Sequence, residues 1–259
     1  MSGAADARRT LLTFAPMVDS ETSRLLLRHY GVDYRESDHL LPWASLLTLF
    51  HGGRGQVPLL YGAGPALTGP WAIAEHYDAM LPPERRLVPP DGPLAAQVKA
   101  DWDLYNGGIG ADAAAFAYFH LLPHGELMKP VFAAPLAPGE KLILPVAYPA
   151  LRLLFRLLLR LSPERAAQAA ARIRATFDLT GKKIADGRPY LCGDRLTIGD
   201  IGLAAASAPL LLPEGYGATM PAPEAMPPPV AGLLRDLRAH PTGRFVQRLY
   251  AEGFARARA

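Results

Sequence analysis

Between positions 82 and 93 the chain reads PPERRLVPPDGP, five prolines in twelve residues. Proline has no backbone N–H and a fixed φ, so neither a helix nor a sheet ladder runs through such a stretch. The run cuts the 259 residues into two unlike parts. Short β-prone segments alternate with helical ones before it, and every periodic segment after it is helical. With 50% hydrophobic residues, the chain has enough apolar material for a buried core in each part and for an interface between them.

In the first part, Thr10 to Phe14 reads as a strand, and the apolar run around Leu25, Leu26, Leu27 and Tyr30 as a helix stopped by Gly31. A second strand is expected over 32–36 and a short helix from Trp43 to Phe50. A third strand spans Gln56 to Tyr61, Ala66-Leu67 pairs back on it, and a helix runs from Pro70 to Met80. Proline cannot serve a central ladder, which makes Pro58 a special position. The second part is expected to be helical over 94–106, 111–121, 163–185, 198–208, 230–239 and 243–257. Residues 209–229, rich in proline and glycine, read as an extended surface loop. Residues 123–162 fit no bundle pattern and read as an insertion between two helices. The domains are therefore 1–81, a linker at 82–93, and 94–259.

Composition narrows the function classes. The 27 basic and 24 acidic residues give a net charge of +3, and the arginines are scattered along helices, which is not a nucleic-acid footprint. The single cysteine, Cys192, excludes an intramolecular disulfide and a cysteine metal cluster. It fits a reducing compartment and reads as a small buried hydrophobe. The opening MSGAADARRT has no apolar run of a secretion signal, so a cytoplasmic location is expected. Residues 142–161 (LILPVAYPALRLLFRLLLRL) invite a membrane reading, but three arginines and two prolines argue against a spanning helix. Arg152, Arg156 and Arg160 at i, i+4, i+8 suit an interfacial membrane helix and also a mostly buried bundle helix. Burial is the favoured expectation.

The segment Tyr190-Leu191-Cys192-Gly193-Asp194-Arg195-Leu196-Thr197-Ile198-Gly199-Asp200-Ile201 carries a capping box. Thr197 caps the helix that follows, Asp200 reaches back to the Thr197 N–H, and Leu196 and Ile201 form a hydrophobic staple. This segment resembles the C-terminal-domain signature of the glutathione transferase superfamily. The order strand-helix-strand-helix, then Val57-Pro58, then strand-strand-helix resembles that superfamily's N-terminal half. The resemblance implies a thioredoxin-like α/β domain followed by an all-α helical bundle, glutathione as co-substrate, a small hydrophobic second substrate, and a homodimer. It also implies that Val57 and Pro58 present backbone to the peptide part of glutathione, a form of β-augmentation.

The family's chemical handholds are mostly replaced. Alignment on Arg24-Leu25-Leu26-Leu27 puts Met17 where other members carry serine or cysteine, and Phe14 where they carry tyrosine. Ser20 is the nearest hydroxyl and the candidate activating residue, with an N-cap role as the alternative. Asp19 and Glu21 beside it would raise a thiol pKa. At the turn Leu67-Thr68-Gly69-Pro70-Trp71, where the family carries an acidic residue and then serine, Pro70 has neither hydroxyl nor N–H. Gly69, Pro70 and Trp71 are the expected glutathione contacts there, through backbone groups. Met17, Trp102, Tyr105 and Asn106 are the expected lining of the second-substrate pocket, and the pair Gly107-Gly108 is expected to kink or break its helix. His120, His124 and Glu126, beside Tyr118, lack the support a metal site needs. Three functions follow: a transferase conjugating glutathione to a hydrophobic electrophile, a non-catalytic protein holding a small hydrophobic ligand or a protein partner, or a peripheral membrane protein docked through residues 142–161.

Overall fold

The computed structural model of the protein describes residues 8–252 and 254. Most of the opening in which no secretion signal is read lies outside the described residues, as do 253 and 255–259 at the far end. The first unit is β1 (Arg9–Thr13), α1 (Val18–His29), β2 (Tyr34–Asp38), α2 (Leu41–Phe50), β3 (Leu59–Tyr61), β4 (Leu67–Thr68) and α3 (Gly69–Asp78). Its sheet has the order β2-β1-β3-β4. β1 runs parallel to β2, with Arg9 opposite Tyr34, and antiparallel to β3, with Leu11 opposite Leu60. Leu11, Leu12, Leu59 and Leu60 are all but fully buried. They sit on the two central strands, where helices cover both faces and an apolar run is favoured over alternation.

Two strand boundaries differ from expectation. β3 begins at Leu59, after Pro58, because a residue without an N–H cannot hold the ladder position opposite β1. β2 lies two residues later than expected, at the register that pairs Thr13 with Asp38. The proline-rich connection is firmly attached: the Asp78 carboxylate accepts from Leu87 N–H at 3.0 Å and Val88 N–H at 2.8 Å. Leu87 O in turn accepts from Ile198 N–H.

The second unit consists of α4 (Gly92–Trp102), α5 (Gly110–Leu121), α6 (Gly125–Ala133), α7 (Pro138–Leu158), α8 (Pro163–Lys183), α9 (Ile198–Leu211), α10 (Pro228–Ala239) and α11 (Pro241–Ala251). α4 and α5 are one helical path joined by a π-helical turn over Asp103–Ile109. Gly107-Gly108 therefore loosens the helix without breaking it, since glycine tolerates the wider turn. At the start of the wholly buried α9 the capping box forms. Asp200 accepts from Thr197 N–H at 2.9 Å, from Leu191 N–H at 2.7 Å and from the Thr197 hydroxyl at 2.9 Å.

Residues 123–162 form a helical hairpin, α6 and α7. Leu144, Tyr148, Leu151 and Phe155 make a buried stripe at i, i+4, i+7, i+11 that packs toward Phe132. Most of the rest of α7 is exposed, which corrects the expectation of a mostly buried helix: Leu142 is 81% and Val146 84% accessible. Leucines all around a helical wheel look buried in sequence, but only one stripe finds a partner here. Arg160 is not part of a third turn of basic residues, because α7 ends at Leu158 and Arg160 has φ 49°.

Candidate interdomain cavity

α1 packs on both α3 and α9, so its first turn lies at the seam between the two units. The loop Phe14 to Met17 enters that turn, with Met17 as N-cap. A cavity of about 360 Å³ opens here. Phe14, Met17 and Val18 wall it on one side, α5 through Ala113, Ala117 and Tyr118 on another, and the end of α7 through Phe155 and Leu158, with Leu159 just beyond it, on a third. Its only acidic wall residue is Asp19.

The polar groups of the first turn of α1 are engaged with one another. Asn106 Nδ2 donates to Asp19 Oδ1 at 2.9 Å, and the Thr22 hydroxyl lies between Val18 O and Asn106 Oδ1. Burial pushes the Asp19 carboxyl above its ordinary range, opposed by the Asn106 hydrogen bond. The fully buried Ser20 hydroxyl donates to Phe14 O at 2.9 Å. Ser20 is not the N-cap, because the helix starts two residues earlier, at Val18, with Met17 as N-cap. Glu21 accepts from Tyr250 OH at 2.8 Å, from Gly217 N–H and from Arg24. Arg24 also clamps Glu36 through Nε and Nη2. The Thr13 hydroxyl bridges Glu36 and Asp38 at 2.8 and 2.9 Å, and one proton cannot serve two carboxylates. Burial pushes the Asp38 carboxyl up to about 7, opposed by the Thr13 hydrogen bond.

Tyr118 stands apart from this network. Its hydroxyl is buried and has no hydrogen-bond partner among the described residues. Its ring packs 4.6 Å from that of Phe155, and burial alone drives its phenol upward, keeping the O–H protonated. A buried hydroxyl without a partner costs about 1–3 kcal/mol. The sequence placed Tyr118 beside His120 and His124, yet Tyr118 alone of the three lines the cavity. His120 packs on Phe116 and Phe119, and His124 faces the exposed Glu126 at 3.5 Å. Among the described residues no group of three His, Cys, Asp or Glu converges on a metal position.

Of the expected second-substrate pocket, Met17 and Asn106 line the cavity, while Trp102 and Tyr105 do not. The Trp102 ring lies against Gly202 and 5.5 Å from Trp71, and Tyr105 OH pairs with Thr180 Oγ1 at 3.1 Å. The three aromatic and amide side chains thus point to α9, α8 and α1 in turn. Phe155, Leu158 and Leu159 were not found from sequence, since nothing local links them to residues 14–19.

The expected glutathione contacts lie on the N-terminal unit. Val57-Pro58 is a cis peptide, and Pro58 O accepts from Gly69 N–H at 2.9 Å, joining β3 to the start of α3. The Val57 N–H and C=O make no hydrogen bond among the described residues. Pro70 is buried and the half-buried Trp71 donates its Nε1–H to Glu75, so neither side chain offers a free donor at this turn. Around Met17 the described residues are poorly arranged to activate a thiol. Met17 has no donor, the Ser20 proton is committed to Phe14, and Asp19 would disfavour a thiolate beside it.

No protein-family model matches this sequence, and no curated protein matches it. Solved structures do match. A glutathione S-transferase from Sinorhizobium meliloti 1021 is 20% identical, with 96% of this chain and 98% of that one covered at a TM-score of 0.53. A glutathione transferase from Burkholderia graminis, with two glutathione molecules bound per subunit, is 13% identical, covering 99% and 91% at a TM-score of 0.58. A glutathione S-transferase from Ceriporiopsis subvermispora in complex with glutathione is 17% identical, covering 95% and 97% at a TM-score of 0.57. The chain has the glutathione-transferase fold, a thioredoxin-like sheet followed by a helical region.

Proposed function

We propose that the protein binds a small, largely apolar ligand with one hydrogen-bond acceptor in the cavity between its two units. The observation that carries this reading is a largely apolar cavity wall that includes Tyr118, whose buried hydroxyl has no partner among the described residues. Apolar walls supply affinity by removing ligand surface from water, and a lone buried donor supplies orientation. A carbonyl or ether oxygen on the ligand would relieve the cost of the orphaned hydroxyl.

A second reading rests on the unbonded Val57 backbone: glutathione as a weakly held peptide, with conjugation to a hydrophobic electrophile as the activity. Loss of the two usual contacts at Gly69 and Pro70 supports weak binding, roughly a hundredfold below a complete site. Among the described residues near Met17, none is placed to activate the thiol.

Calorimetric titration separates the two readings. A panel of apolar ketones and ethers is expected to include a saturable binder whose affinity falls roughly three- to tenfold in Tyr118→Phe. Reduced glutathione is expected to bind weakly and to bind more tightly to Pro70→Ser, which restores a hydroxyl at the α3 turn. Tight glutathione binding by the wild-type protein, together with turnover of an electrophile, would overturn the first reading.

A further inference from the structure

The outer surface of α7 has features that ligand binding does not use. Leu142, Ile143, Val146, Leu153 and Leu157 are 56–84% exposed. At about 100° per residue they fall within an arc of roughly 100°, opposite the buried stripe of Leu144, Tyr148, Leu151 and Phe155. On one flank between the two arcs stand Lys141, Arg152 and Arg156, all exposed and without a salt bridge among the described residues. No acidic residue occurs between Glu140 and Glu164. α2 is fastened to the start of α7, where Glu140 accepts from Leu40 N–H at 3.0 Å and meets His39 Nδ1 at 2.5 Å. α2 has no charged residue and exposes Trp43, Leu49 and Phe50.

We infer that α7 docks the protein lengthwise on a bilayer surface that carries anionic phospholipid. An apolar arc bordered by a cationic stripe, on a helix lying in the surface plane, is the arrangement that places leucines among acyl chains and arginines at phosphates. No single helix among the described residues is long and apolar enough to cross a membrane. Charge complementarity selects the occupant. Two copies packed through the same face would cover the apolar arc but offer no acidic residue of α7 after Glu140 to Arg152 and Arg156, and an antiparallel pairing would set the two basic stripes side by side. A surface of lipid phosphates supplies the missing counter-charge. Because the inner side of α7 walls the cavity, docking would set the ligand site against the membrane. The docking itself does not depend on the ligand reading.

Flotation of the full-length protein with vesicles tests this. Vesicles of phosphatidylcholine mixed with phosphatidylglycerol are expected to retain the protein, vesicles of phosphatidylcholine alone to retain little, and added salt to weaken retention. Each basic residue near an anionic surface contributes about 1 kcal/mol, so an Arg152→Gln, Arg156→Gln double variant is expected to bind about thirtyfold more weakly. Val146→Gln with Leu153→Gln should abolish retention; all four positions are exposed, and an unchanged circular-dichroism melt verifies folding. Absence of binding to either vesicle, or binding that both double variants retain, would overturn the proposal. So would a wild-type dimer in light scattering that Val146→Gln with Leu153→Gln makes monomeric while vesicle binding is absent, since a second copy would then occupy this face.

Discussion

Changing Tyr118 to Phe removes one oxygen and leaves the ring contact with Phe155 in place. In a core tyrosine whose hydroxyl is bonded, this change costs about 1 kcal/mol. At Tyr118 no bond is lost, and the desolvation cost of the orphaned hydroxyl, about 1–3 kcal/mol, disappears. Water reaching a cavity of about 360 Å³ offsets part of that gain. The expected change is therefore a stabilisation of about 1 kcal/mol. Tyr148 supplies the matched comparison, since its hydroxyl donates to Leu122 O at 2.8 Å, and Tyr148→Phe should cost about 1 kcal/mol. In a chain of this size 1 kcal/mol moves the melting temperature by about 2–4 °C, so the two variants should melt on opposite sides of the wild type, about 4–8 °C apart. Urea unfolding followed by circular dichroism gives the free energies directly. A Tyr118→Phe protein that is destabilised as much as Tyr148→Phe would show that the hydroxyl has a partner within the fold, and would remove the basis for the ligand site.

The Asp38 carboxyl is raised by burial from 3.8 to about 7, so the folded protein keeps a proton that the unfolded chain releases. Stability should fall as pH rises from about 4 to about 7, and Asp38→Asn should flatten that part of the profile. A variant profile parallel to the wild type would exonerate Asp38. Thr197→Ala with Asp200→Ala removes the capping box of α9 and should lower stability by about 1 kcal/mol or more, and an unchanged melting temperature would contradict the capping role. Ser20→Ala should cost about 1 kcal/mol through the lost bond to Phe14 O and leave the affinity for reduced glutathione unchanged. Loss of glutathione binding with stability intact would restore Ser20 as a ligand contact.

Local signals carried much of the fold. The alternation of elements before Pro82, the glycine stop at Gly31 and the Thr197–Asp200 box are each decided within a few residues, and each is formed as read. The cavity was less legible, because its walls come from segments around 14–19, 106–121, 155–159 and 209–220, and spacing within one helix cannot reveal them. Trp102, Tyr105 and Asn106 look like one face at i, i+3, i+4. The π turn starting at Asp103 changes that register, and three different helices take up the three side chains. Ser20 read as a free hydroxyl because the helix was expected to start at it rather than at Val18. For α7, hydrophobicity all around the wheel does not specify which stripe is covered; that depends on where α6 packs.

The bond from Tyr250 OH to Glu21 joins residues 229 positions apart, and it completes the buried acid–base pair that α1 forms with Arg24. During synthesis, the thioredoxin-like unit leaves the ribosome long before the helix that closes over Glu21 has been made. Its first helix must wait with a charged pair open to water, and native contacts of such long sequence separation form late. A shortened protein ending before α11 would therefore lose more than a terminal helix. It would leave the opening helix of the chain permanently in the state that the full-length protein passes through only while it is being made.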